Sequence, residues 1–402
     1  MRILHIGKFY PPRHGGMETA IKDICECIAA KAEVRAVVAN HAPGEVCERV
    51  NGVELHRLRT PVTLASQPVS PGMWAAIRRS PADIVHLHEP NPLAMASFLA
   101  SGHRGRLIVH YHSDIVRQKQ LARAYAPILE RGLARASAIV AGSRELVASS
   151  PVLSRWREKC VVIPFGIDLD PFLRIGCCDR RGRGRVRVLA VGRLSYYKGF
   201  QYLIEAARPG GFEVVIAGEG EMRPALEQRI AACGVTDRVR LAGRVTDEQL
   251  HRLYAESDLF CLSSCERSEA FGLVQIEAMA AGLPVVSTDL PTGVRSINRH
   301  GETGLVVPPH NAAALASAIG ELAADRERRA RMGSAARQRA EFEYDRRVMA
   351  ARIARLYEAV LGAGAYEGEA ETSQQDLSNL QEALTAAEVR PGAAAGKQEV
   401  IV

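Results

Sequence analysis

Short, continuous runs of Val, Ile, Leu and Ala recur along this chain, with stretches of helical apolar spacing between them. A strand that is apolar on both faces must be covered on both faces. That points to parallel sheets with crossover helices. In the first half such runs fall at 2–6, 34–39, 83–88, 107–111, 138–141 and 160–163, with helical patterns at 17–29 and 92–100. The alternation then restarts, with strands expected at 186–191, 212–217, 239–242, 258–262, 284–287 and 305–307. Helices are expected at 201–207, 222–233, 247–257, 270–281 and 312–324. Between the two series lies RIGCCDRRGRGR, residues 174–185, which is poor in apolar residues and reads as a linker. The expected fold class is α/β, with two tandem Rossmann-like domains at 1–173 and 186–344. A helix over 345–361 follows. The tail, 362–402, is expected to be disordered apart from one short capped helix near Ser373.

Length and charge narrow the classes further. A chain of 402 residues with no run of 18 apolar residues excludes a collagen, a wholly disordered chain and an integral membrane protein. Residues 1–6 are broken by Gly7 too soon for a secretory signal and read as a buried strand, and the nine scattered cysteines read as reduced cytosolic thiols. The formal charge is +7, but residues 1–170 hold 22 Lys+Arg against 15 Asp+Glu, while residues 363–402 hold 2 against 7. A basic first half suits an anionic partner: a nucleotide, a nucleic acid or an anionic membrane surface. The stretch 115–135, with Arg117, Lys119, Arg123, Arg131 and Arg135, adds a basic helical face.

Four motifs can carry chemistry. Gly15-Gly16 follows the first strand and opens a helix, so the backbone can come close to a ligand there. Arg193 and Lys198 lie five residues apart beyond the first strand of the second domain, at the sheet edge where ligands bind. A guanidinium fork and an ammonium together suit a diphosphate. Glu269 and Glu277 flank Ala-Phe-Gly-Leu-Val-Gln-Ile. With a helix starting at Ala270, both carboxylates fall near one helix face, about two turns apart, as acceptors for sugar or ribose hydroxyls. Phe271, Gly272 and Leu273 then present backbone N–H groups at the helix start. His112 and Asp114, at the end of a first-domain strand, are candidates for a polar contact or acid–base work. Asp168-Leu169-Asp170 spells a D-x-D sequence, but in a loop with little else to hold a metal, and Cys261-x3-Cys265 has no second pair at zinc spacing.

In family order, Gly15-Gly16, DIVHLHEP at 83–90, His112-Ser113-Asp114, PFGID at 164–168, the Arg193/Lys198 pair and Glu269-x7-Glu277 resemble the retaining glycosyltransferases of family 4, of GT-B fold. The resemblance spans about 360 residues and is most specific at the last two motifs. It implies that Arg193 and Lys198 neutralise the diphosphate of a nucleotide-sugar, and that Gly15 and Gly16 meet the same phosphates. Glu269 would hold the transferred sugar, Glu277 the ribose, and His112 the sugar and phosphate. Asp114, Gly218 and the amides of Phe271, Gly272 and Leu273 join the donor site, with Val245 near the base. The implied catalytic set is Arg193, Lys198, Glu269 and His112.

Within that family, RSEAFGLVQIE at 267–277 and STDLPTGV at 287–294 resemble bacterial mannosyl- and rhamnosyltransferases of polysaccharide assembly. That resemblance implies GDP-mannose as donor and an alpha linkage, with UDP-glucose or another UDP-sugar as the alternative. The implied acceptor is a polyprenyl-diphosphate-linked glycan or other sugar acceptor. No metal, no cofactor and no nucleic acid partner are expected. The implied place is cytoplasmic, peripheral on the inner face of the cytoplasmic membrane. A catalytically silent scaffold subunit is the rival from another class. Lys198→Ala is expected to cost turnover far more than stability.

Overall fold

The computed structural model describes residues 1–13, 15–64, 67–115, 118–175 and 184–362. The first domain is built on eight strands: β1 (Arg2–Ile6), β2 (Glu33–Ala39), β3 (Val46–Val50), β4 (Val53–Leu58), β7 (Ile84–Glu89), β8 (Arg106–Tyr111), β9 (Ala138–Ala141) and β10 (Cys160–Val162). A small hairpin, β5 (Val62–Leu64) and β6 (Gln67–Val69), stands apart from them. The sheet order is β10-β9-β8-β7-β1-β2-β4-β3, and every pair is parallel except β3–β4. Strands β1, β7, β8 and β9 are buried on both faces, which is why they read as mostly apolar runs, broken in β1, β7 and β8 by buried polar residues, chiefly histidines. β3 and β4 escape that pattern, because β3 is solvent-facing and β4 carries Glu54, His56 and Arg57.

The second sheet holds β11 (Val186–Val191), β12 (Phe212–Ala217), β13 (Val239–Gly243), β14 (Leu259–Leu262), β15 (Val285–Thr288) and β16 (Gly304–Val307). Its order is β13-β12-β11-β14-β15-β16, all parallel. That is the order of a doubly wound nucleotide-binding sheet, whose strand order reverses beside its first strand. The first sheet has the same switch between β1 and β7. Ligands of such sheets sit outside the carboxyl ends of the strands at the switch, and the two switches face one another here.

The chain crosses between domains earlier than the expected boundary at 173. After β10, Phe172 already packs edge-on to Tyr254 and His251 of the second domain, with ring centroids 5.5 and 5.2 Å away. Most of the expected linker lies outside the described residues, as does the tail beyond Gly362 with the helix expected near Ser373. The return crossing lies beside the first. Ile167 N donates to Tyr344 O and Arg346 N donates to Ile167 O, each at 2.9 Å. Gly166 permits that contact, since a Cβ there would stand 2.5 Å from the Asp345 carbonyl. The Asp-x-Asp carboxylates are engaged at this crossing: Asp168 meets Arg346 at 2.9 Å and Asp170 meets Arg347 at 3.1 Å. The final helix, Arg346–Gly362, then packs on the first domain beside the Gly16–Ala29 helix. A helix at Arg326–Glu343 was not foreseen: it shows no apolar stripe and buries mainly Met332, Gly333, Ala336 and Ala340.

Candidate functional site

A cavity of about 710 Å³ opens between the two domains at their facing switch points. From the first domain it is lined by Gly16 and His112, and from the second by Lys198, Glu269, Glu277 and the turn Phe271–Leu273. Its size suits a ligand of nucleotide-sugar dimensions.

Lys198 ends a short 3-10 turn, Tyr196–Lys198, just beyond β11. Gly199 closes that turn in the left-handed region (φ 63), where a Cβ would stand 2.1 Å from the Ser263 carbonyl. Only glycine fits. Ser263 Oγ donates to the Lys198 carbonyl at 2.9 Å and fixes the turn to the β14 end. The Lys198 ammonium is buried and lies 2.6 Å from Glu269 Oε2. Burial pulls its pKa down, but the charges of Glu269, Tyr197 and Glu277 outweigh that and leave it raised, so the amine stays protonated. Ser264 Oγ donates to the same carboxylate at 2.6 Å. Removing Lys198 is expected to cost stability as well as turnover, because it is half of a buried ion pair.

Glu269 and Glu277 meet in the cavity, but not as neighbours on one helix. The helix starts at Val274, not Ala270, because Gly272 takes a left-handed φ of 79 and turns the chain just before it. Glu269 therefore sits in the β14 loop, pinned by Thr292 Oγ1, which donates to its carbonyl at 2.8 Å. Glu277 lies in the first turn of Val274–Ala280 and is half-buried against the cavity. Burial raises its pKa, against the opposing pull of Tyr254 and Lys198. Tyr254 Oη donates to its Oε2 at 2.8 Å.

His112 follows β8, and its backbone N–H donates to the Glu89 carbonyl at 3.0 Å. Its ring stacks on Phe165 with centroids 5.1 Å apart, and Phe165 meets Phe271 of the other domain edge-on at 5.0 Å. Burial pushes its pKa down to about 3, so the ring is neutral at pH 7. Gly16 is the first residue of its helix and faces Leu273 across the cleft.

Several expected residues lie outside the cavity lining. Arg193 is mostly exposed, with Nε 3.5 Å from Glu221 Oε2; the nearest surface carboxylate has taken the guanidinium. Gly15 caps the first helix in extended backbone beside Glu18. Asp114 accepts from Tyr111 Oη at 2.8 Å and Ser150 Oγ at 2.6 Å. Gly218 packs a strand end, where a Cβ would stand 1.9 Å from the Gly192 carbonyl. Val245 is half-buried against the core. Tyr254 and Ser264, which hold the two glutamates, were not foreseen; Tyr254 lies on an ordinary amphipathic helix, Asp247–Glu256, with nothing local to mark it. Arg267, whose purpose is not legible in the chain, bridges the domains: its Nη2 donates to the Ser149 carbonyl at 3.0 Å.

Buried histidines form two groups with ligand atoms close enough to suggest a metal, His5/His86/His88 and His88/His110/His112. Many of these rings are stacked: His110 lies within 15–19° of parallel to His86, His88 and His112. In the second group stacked rings point their in-plane lone pairs side by side instead of at a common centre, and in both groups ring nitrogens are spent on hydrogen bonds to one another, His5 Nδ1 with His88 Nε2 and His88 Nδ1 with His112 Nε2, so neither donor set fits an ion well.

Comparison with known proteins shows the family and the fold. A family model described as Glycosyl transferases group 1 matches residues 181–339, and one described as Glycosyl transferase 4-like domain matches residues 15–166. The chain is 34% identical over 328 residues to the D-rhamnosyltransferase WbpZ of Pseudomonas aeruginosa, covering 79% of this chain and 86% of that one. It is 33% identical over 350 residues to O-antigen chain mannosyltransferase C of Escherichia coli, covering 85% and 94%. Among solved structures it is similar to a sucrose-phosphate synthase from Thermosynechococcus elongatus, with a TM-score of 0.74 and 22% identity over 90% of this chain and 100% of that one.

Proposed function

The chain belongs to the group 1 glycosyl transferases with a glycosyl transferase 4-like first domain, a hexosyltransferase of GT-B fold, and from that premise we propose that it transfers mannose from GDP-mannose, with retention and in alpha linkage, to a lipid-linked or polysaccharide-precursor acceptor. The observation that carries this reading is the buried Lys198–Glu269 pair facing Gly16 and His112 across one cavity. The activities named for the relatives, rhamnosyl transfer and O-antigen mannosyl transfer, support the sugar class and the acceptor class.

In this reading the Lys198 ammonium and the Gly16 amide stabilise the diphosphate as negative charge grows on it. Glu269 accepts from hydroxyls of the sugar and Glu277 from the ribose. The bond from the anomeric carbon to the phosphate oxygen breaks, and the acceptor hydroxyl forms the new bond on the same face. The hydroxyl proton passes to a phosphate oxygen, so the products are the glycoside and a nucleoside diphosphate. Fixed cations suffice for this step, and the Asp168 and Asp170 carboxylates are held by arginines, which supports metal-independent chemistry. Arg193 joins the diphosphate on leaving Glu221. Closure of the domains excludes water and limits hydrolysis.

The acceptor side is the basic first domain. Among the described residues no helix is long and apolar enough to cross a membrane. The helix Lys119–Arg135 exposes Leu121, Arg123 and Arg131, which suits contact with an anionic leaflet from the cytoplasmic side.

Heat-protection with a panel of nucleotide-sugars, followed by assay of nucleoside diphosphate release in chelator, tests the proposal. GDP-mannose should raise the melting temperature most, since a ligand of the folded state stabilises it by mass action. Protection by UDP-glucose alone would move the donor to the uridine series, and no release with any donor would favour a silent scaffold. Separately, Glu269→Ala should abolish transfer while nucleoside diphosphate affinity stays within about threefold, because Glu269 meets the sugar and not the nucleotide. Loss of nucleoside diphosphate binding, read by calorimetry, would refute that division between the two glutamates.

A further inference from the structure

Five histidines share one face of the first sheet: His5 on β1, His86 and His88 on β7, and His110 and His112 on and just after β8. All are buried, and burial lowers the pKa of each, so all five are neutral at pH 7. Four of them are joined to Tyr357 of the final helix by hydrogen bonds. Tyr357 Oη lies 2.5 Å from His86 Nδ1 and 3.2 Å from His5 Nε2. His5 Nδ1 lies 3.1 Å from His88 Nε2, and His88 Nδ1 lies 2.9 Å from His112 Nε2. The chain thus runs from the Arg346–Gly362 helix to the cavity wall.

A neutral imidazole has one N–H and one lone pair, so each link dictates the next. Only two directions are consistent. If Tyr357 donates to His86, then His5 donates to Tyr357, His88 to His5, and His112 Nε2 to His88; His112 Nδ1 is left as an acceptor. His86 Nε2 then carries its proton, yet it is buried with no partner. If Tyr357 donates to His5, the chain runs His5 to His88 to His112, and His112 Nδ1 carries the proton. His86 Nδ1 then donates to Tyr357, and its orphaned Nε2 is a bare lone pair. A buried N–H without an acceptor is the rarer and costlier defect.

We infer that Tyr357, acting through His5 and His88, fixes His112 as the Nδ1–H tautomer, so that the cavity receives a neutral hydrogen-bond donor aimed at the donor substrate. Tyr357 and His5 are positioning residues for sugar transfer; the inference rests on the glycosyltransferase reading for its kinetic consequence, though not for its geometry. Among the described residues nothing else holds His112 Nδ1, which leaves it for a phosphate or sugar oxygen.

Ring 15N and 13Cδ2 shifts of the full chain labelled in histidine, with His112→Gln to assign the signal, decide the tautomer at pH 7. His112 should be Nδ1–H in the unmodified chain and a mixture of tautomers in Tyr357→Phe. An Nε2–H signal in the unmodified chain, or a tautomer unmoved by Tyr357→Phe, overturns the inference. In turnover, Tyr357→Phe should lower kcat about tenfold and leave KM for the nucleotide-sugar within about twofold, since the donor meets charge that grows in the transition state. His5→Leu should lose as much, and His5→Gln, whose amide can both accept and donate, should recover most of it. Equal loss in the Leu and Gln variants counts against the relay. Absence of turnover in the unmodified chain would refute the glycosyltransferase reading, and the tautomer measurement would still decide the relay.

Discussion

Sugar transfer should fall about a thousandfold in Lys198→Ala, equal to about 4 kcal/mol of transition-state stabilisation. The ammonium is the one cation of the proposed pair already inside the cavity, since Arg193 rests on Glu221. The same variant should also melt lower. It leaves the Glu269 carboxylate buried without its partner 2.6 Å away, and breaking a buried pair costs about 3–5 kcal/mol. Part of that is recovered if the carboxyl takes up a proton. The double variant Lys198→Ala/Glu269→Ala separates the two effects: it should regain most of the lost melting temperature and none of the lost transfer. Thermal scans and initial rates on the three variants check this. A double variant that melts as low as Lys198→Ala would show that Lys198 stabilises the fold by packing and not by pairing.

The second large effect is on stability in acid. In the unfolded chain each histidine has a pKa of about 6.5. In the folded chain burial lowers His5 and His112 to about 3 and holds His86, His88 and His110 well below the ordinary value. As pH falls below about 6.5 the unfolded chain binds protons that the folded chain refuses. Stability must then drop, by up to about 1.4 kcal/mol per pH unit for each histidine. Three carboxyls, two of them fully buried, act in the opposite sense. Burial raises Glu89 to about 7, Asp23 to about 6, and Glu277 above its ordinary value, so these hold protons in the folded state first. Their offset ends near the ordinary carboxyl range, about pH 4, and the loss should be steepest below it.

Urea unfolding between pH 7 and pH 4 measures this slope. His110→Phe is the telling variant, because both nitrogens of His110 are buried without partners and its ring stacks on Phe165. Phe should raise stability at pH 7 by about 1–3 kcal/mol and remove one histidine's share of the acid slope. An unchanged slope would mean that His110 takes up its proton over the same pH range in the folded chain as in the unfolded one.

The alternation of apolar runs with helices made the two sheets legible, because parallel strands buried on both faces are mostly apolar, even where β1, β7 and β8 carry histidines. What escaped were elements whose partners lie elsewhere. β4 was hidden by Glu54, His56 and Arg57, of which Arg57 reaches back to the carbonyls of Tyr10 and Pro11. The Arg326–Glu343 helix was hidden because it packs through small residues: a Cβ on Gly333 would stand 2.3 Å from the Gly282 carbonyl. At the site, Lys198, Glu269, Glu277, Gly16 and His112 were legible as residue types at motif spacings. The burial of Lys198 was not, since it depends on Ser263 and Ser264 far along the chain. The histidines of HLH and HYH were visible singly, but that they stand on one face in contact follows from strand register, which no local pattern encodes.

The paired crossings set how the lobes can travel. Ile167 is hydrogen-bonded on both sides to the returning segment at Tyr344 and Arg346, so the two connections form one spine and not two separate tethers. Two covers bound at one spine can swing but cannot slide. Opening would carry His112 and Gly16 away from Lys198 along an arc while leaving the 2.6 Å Lys198–Glu269 pair untouched, so half of the reaction chamber arrives already assembled and only the other half has to swing in.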